Sequence, residues 1–150
     1  MHIHRPLIAD LLLGAAAGAA ATWAMDKATT LLYEREPAEV KRRENAVRRG
    51  KTAYQIAEEK TGVPAQAIHW SIGIGSGAFY GLLRNRGVGT GSGLAYGLAM
   101  FLAIDEGLLT ALKLAPTPDK FPWQAHARGL AGHLVFGAVL DGAFLISSGL

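Results

Sequence analysis

With 150 residues the chain has room for one domain, and its lack of cysteine excludes disulfides, thiolate catalysis and cysteine-ligated zinc or iron–sulfur centres. Half of the residues are hydrophobic and 19 are glycine, a combination suited to membrane helices that approach closely through small residues. The net charge of +3 arises mainly in one block, residues 26–62, so the chain as a whole does not have the basic character of a nucleic-acid binder.

The first apolar segment, residues 7–25, carries only Asp10. Arg5 and the alanine-rich end would also suit a secretory signal. The segment is read as a first spanning helix over about 7–26. A linker over about 27–62 follows. Pro37 opens a helix there, Glu39–Arg43 and Glu44–Arg48 stand at i,i+4, and Gly50 stops it. Thr52 and Gln55 then form a capping-box pattern for a second short helix ending near Gly62. The expected element is a charged, amphiphilic helical hairpin, either solvated or docked on a membrane surface or partner. Its basic residues exceed its acidic ones only nine to seven (Asp26 included), too few for a polybasic lipid-binding patch.

Three further segments have the same apolar character. Residues 64–83 carry no charge, 87–112 carry Asp105 and Glu106, and 129–150 carry Asp141. A helix needs about 20 apolar residues to cross a bilayer core, and spans are expected at about 64–84, 91–113 and 123–148. A soluble bundle would show a polar outer face on each helix; here those faces are Leu, Ile, Val, Phe and Ala. The predicted fold is therefore all-α, a single membrane domain over residues 1–150 built as a four-helix bundle.

Lysine and arginine set the orientation: twelve fall on the linker side of the four predicted spans and three on the other. The linker is expected in the cytoplasm with both termini outside. Trp23, Trp70 and Trp123 then mark the inner boundary as an aromatic belt. Gly14 and Gly18, Gly73, Gly77 and Gly81, and Gly93 and Gly97 form small-residue ridges at helical spacing, and Gly129 and Gly137 continue one in the last helix. The glycine-rich turn at 86–93 lacks the Lys-Ser/Thr ending and preceding strand of a phosphate loop, and "GIGSG" lacks the spacing of a nucleophile elbow.

The chemistry must come from ionisable groups inside the spans, each of which needs a partner or a cavity. His69, Asp105, Glu106, His126 and His133 are expected in the inner half, with Asp10 and Asp141 toward the outer face and within reach of water. His126 and His133 share a face about 10 Å apart along the helix. Asp105 and Glu106 diverge by about 100° on an α-helix, so one of them is expected to face the interior, with Asp105 favoured by its Gly93–Gly97 stripe. His133 is expected to be the most consequential ionisable residue of the last helix, sharing a site with Asp105.

Three readings of this cluster stand side by side: a structural lock, a proton or ion pathway, and a metal or haem site using His69, Asp105, Glu106 or His133. No His-x-x-x-His or Glu-x-x-His spacing supports the last. No cofactor is assigned.

"GAAAGAAATWAMDK" (14–27), "HWSIGIGSGAFYGLL" (69–83) and "ARGLAGHLVFGAVLDGA" (127–143) resemble the YagU-like family of small bacterial inner-membrane proteins of unsettled function. The resemblance implies a bacterial plasma membrane and assigns no catalytic residue. The expectation is thus a non-enzymatic inner-membrane protein that handles protons or ions, partnered by the lipid bilayer and by copies of itself or a larger membrane complex. The alternatives are an accessory subunit and a metal- or haem-binding membrane protein.

Overall fold

The computed structural model describes residues 5–148, and every regular element among them is helical. Helix α1 (Leu7–Arg35) runs well past residue 26, where the first span was expected to end. The reason is local: residues 27–35 contain neither glycine nor proline, and the helix stops only at Glu36, which Pro37 forces into an extended conformation. Helix α2 (Ala38–Arg48) ends at Arg49 and Gly50, both left-handed, with φ of 51° and 73°. Helix α3 (Ala53–Thr61) begins with a reciprocal cap, Gln55 N donating to Thr52 Oγ1 at 3.2 Å and Thr52 N to Gln55 Oε1 at 2.8 Å. Glu58 then accepts from Ala65 N, capping helix α4 (Ala65–Asn85) from the neighbouring element.

Helix α5 (Gly93–Ala111) is α-helical to Met100, then widens into a π-helical stretch over Phe101–Leu108. A 3₁₀ turn at Pro118–Lys120 leads to helix α6 (Trp123–Ser147). Three helices, α1, α5 and α6, are long and apolar enough to cross a membrane. Helix α4 spans 21 residues, but its apolar character is diluted by glycine, serine, Gln66 and His69. Large apolar side chains on the bundle exterior, among them Leu12, Leu98, Trp123 and Ile146, are open to the surroundings.

Helix α1 packs against α4 and α6, and α6 also packs against α5. A Cβ added at Gly14, Gly18, Gly77 or Gly81 would overlap backbone across the α1–α4 contact, and one at Gly73 would strike Thr22. Across the α5–α6 contact, Gly93, Gly97 and Gly137 meet backbone in the same way. Gly129 differs, lying against the Phe101 ring and the Asp105 carboxylate. Close approach leaves room in the centre for Ala17, Ala21, Tyr80, Phe136, Leu140 and Phe144. Tyr96 joins α5 to α4, its hydroxyl donating to Ser76 O at 2.8 Å.

Candidate functional site

At the end of the bundle that α2 and α3 cover, the inner end, the four long helices do not close on one another. They enclose a cavity of about 430 Å³, covered by α2 and α3, into which titratable side chains from all six helices converge. Arg128, at the start of α6, fastens the cover. It donates to Glu36 at 2.5 Å and to both Glu44 oxygens at 2.7 Å, with its guanidinium 5.0 Å from the Tyr33 ring. Arg48 donates to Glu44 at 2.8 Å from one turn further along α2, the i,i+4 pair legible in the sequence. Glu39 pairs instead with Arg42. Burial by itself would raise the Glu44 pKa, but hydrogen bonds from Arg128 and Arg48 outweigh it and hold the carboxylate below its usual 4.5. At its far end the cover is tied down by Lys60, which donates to the carbonyls of Leu112 and Lys113 at the end of α5.

Three histidine–carboxylate pairs line the region. His126 lies between Glu106 Oε1, 2.6 Å from Nδ1, and Pro118 O, 3.0 Å from Nε2. A carbonyl only accepts, so Nε2 carries a hydrogen. The hydrogen on the Nδ1 side then belongs either to an imidazolium facing a carboxylate or to a carboxyl group facing a neutral ring. In both cases the pair holds one proton more than a neutral imidazole and a carboxylate together. His133, almost fully buried, donates from Nδ1 to Gly129 O at 3.0 Å, and the Asp105 carboxylate stands 3.8 Å from the same nitrogen. That distance leaves charge attraction without a hydrogen bond. His69 meets Asp26 through Nε2 at 2.9 Å, while its buried Nδ1 has no partner.

Sequence reasoning placed these histidines in one layer and put Asp105 beside His133, but expected only one α5 carboxylate to face inward and did not pair His69 with Asp26. Both carboxylates of α5 face α6, Glu106 toward His126 and Asp105 toward His133. The physical reason is the π-helical stretch, whose wider turn brings successive side chains closer in angle than an α-helix would. Asp26, counted with the linker charges at the expected end of the first span, sits within the extended α1 and takes His69. Tyr54 on α3 was missed altogether. Its ring packs against that of His69, tilted, with centroids 4.9 Å apart, and lines the same cavity. Burial, reinforced by the Asp105 and Asp26 carboxylates, pushes its pKa up to about 12, so its hydroxyl keeps its hydrogen. Its only sequence signal was an aromatic residue two positions after the Thr52 cap.

Asp141 belongs elsewhere. Expected toward the outer face and within reach of water, it is instead buried at the end opposite the cavity, accepting from Tyr80 Oη at 2.8 Å and from Gly91 N at 2.6 Å. Arg84 lies 4.0 Å away. Asp10 is likewise buried, held by Asn85 at 2.8 Å with Arg5 at 4.0 Å. Among the described residues no group of three or more His, Asp or Glu side chains is arranged to hold a metal ion. His69, Asp105, Glu106 and His133 accordingly do not converge on one point.

Comparison with protein-family models, curated proteins and solved structures finds no match for this chain. The site geometry therefore carries the functional reading.

Proposed function

We propose that this chain is an integral protein of a bacterial inner membrane, akin to the YagU-like proteins, whose cytoplasmic-side cavity binds and releases protons through its histidine–carboxylate pairs. The observation that carries the reading is His126, whose two ring nitrogens both face acceptors and so require an extra proton. A titratable pair beside a cavity of about 430 Å³, under a cover that water can enter from one side, is equipped for proton exchange rather than for bond-breaking chemistry. In this reading α4 crosses the membrane beside α1, as a fourth span whose glycines face the neighbouring helix. The twelve-to-three lysine and arginine bias puts α2 and α3 in the cytoplasm and both termini outside.

Nitrogen NMR of histidine-labelled protein at neutral pH, together with infrared spectroscopy of its carboxyl groups, tests the proton. Wild type is expected to show either an imidazolium pattern at His126 or a protonated carboxyl band that Glu106→Gln removes. A neutral His126 with no such band would overturn the reading. Lys51→Cys tests the orientation. This variant is expected to resist membrane-impermeant thiol reagents in intact cells, and ready labelling would reverse the topology.

A further inference from the structure

We propose that the inner cavity binds a small organic ammonium ion, a protonated primary amine with a hydrocarbon body, held by the carboxylates of Asp105 and Asp26. This rests on the reading of that cavity as a site that exchanges protons, and it names the other cation that enters. The volume of about 430 Å³ lies within the roughly 300–1,000 Å³ of small-ligand sites and far exceeds what one water needs. Asp26, its side chain 43% exposed, stands where the cavity meets the outside. Asp105 lines the interior. Among the described residues none donates a hydrogen bond to it: His133 Nδ1 is 3.8 Å away and donates to Gly129 O instead.

The wall leaves open acceptors rather than cationic donors. The Asp26 carboxylate only accepts, so His69 Nε2 carries the hydrogen between them. In the neutral ring Nδ1 is then a further acceptor, buried with no partner. The basic groups of the wall are engaged elsewhere. Arg128 serves Glu36 and Glu44, and Arg48 donates to Glu44 while lying 4.9 Å from the Phe121 ring. Glu106 has His126. Among the described residues, Asp105 and Asp26 are left facing imidazoles, with no lysine or arginine paired to either. Both act on one point, since their fields add to the burial that raises the pKa of the Tyr54 hydroxyl to about 12. A protonated primary amine supplies what is missing, one positive charge and three N–H donors. The remaining wall is largely apolar and aromatic. Tyr54, Phe101 and Leu109 suit a hydrocarbon body, and the ring faces attract the charge. An anion would meet two carboxylates, and a bare metal ion would find no group of three ligands among the described residues.

Isothermal titration of the purified full chain in detergent, in potassium chloride buffer at neutral pH, tests the site with phenethylammonium as probe. Phenethyl alcohol and hydrocinnamate keep the ring and its short chain but carry a neutral or a negative group instead. Wild type is expected to bind the ammonium saturably and each of the other two at least about tenfold more weakly, the fold-change for losing one hydrogen bond to a charged group. Asp105→Asn is expected to weaken the ammonium by about tenfold or more. Glu39→Gln, which removes an exposed carboxylate paired with Arg42, is expected to keep the wild-type affinity. Should Asp105→Asn fail to fold, Asp26→Asn takes its place, and the comparison of the three probes needs no variant. No saturable binding, equal affinity for the alcohol, undiminished binding in a folded aspartate variant, or an equal loss in Glu39→Gln overturns the site. The proton at His126 and Glu106 is read spectroscopically without amine, so failure of amine binding and failure of the proton reading are told apart.

Discussion

The two ends of this bundle hold their charged groups in opposite ways. At the outer end, Asp10 and Asp141 are clamped by amide, hydroxyl and backbone donors between helices that touch through glycine. At the inner end the same helices splay, and the carboxylates face histidines around open space under a separate cover. A carboxylate surrounded by donors is locked; one facing an imidazole across a cavity exchanges protons. Spacing between helices, more than residue type, sets which of these a buried charge becomes.

The comparison breaks most visibly at the clasp. Arg128→Ala leaves Glu36 without its ion-pair partner and Glu44 with Arg48 alone, and loss of one partner from such a pair costs about 3–5 kcal/mol. Thermal unfolding in detergent is expected to show the largest drop of any single change proposed for this molecule. A loss under about 1 kcal/mol would mean that α2 is not seated on α6. At the outer end, Asp141→Ala removes the acceptor of Tyr80 and Gly91, with an expected cost of about 2 kcal/mol. An unchanged melting temperature would show that water replaces the carboxylate and that this end is not dry.

Finer differences separate the two α5–α6 pairs. Double-mutant cycles should give about 1–2 kcal/mol of coupling between Glu106 and His126, bonded at 2.6 Å, and about 0.5 kcal/mol or less between Asp105 and His133 at 3.8 Å. Equal couplings would mean that the π-helical stretch does not favour one pair. The smallest effect is with pH. Glu44 is held below its usual 4.5, so its contribution is fully present above about that value and is lost as pH falls through the lower folded value. Melting curves from pH 6 to 3 should therefore show an acid decline that Glu44→Gln reduces. The same slope in both proteins would assign that decline to other carboxylates.

Much of the inner site could be placed in advance, and its wiring could not. His69, His126, His133, Asp105 and Glu106 were legible as titratable groups set in or beside apolar helical segments. Apart from the His133–Asp105 juxtaposition, their partners were not, because pairing depends on where helices far apart in sequence come to lie. Glu36 and Arg128 are 92 positions apart, and His69 and Asp26 are 43 apart. The π-helical stretch had no sequence marker at all: residues 101–108 contain one glycine, Gly107, and no proline.

By itself the sequence determined the apolar lengths of α1, α5 and α6, the Thr52–Gln55 cap, the stops at Gly50 and Gly62, and the helical spacing of the glycines. Each of these depends on residues within a turn or two of one another. Tertiary structure alone decided that Asp141 faces Tyr80 rather than water, that both α5 carboxylates meet histidines, and that the charged linker closes a cavity. Those outcomes depend on the angle and separation of whole helices, which follow from all of their contacts together.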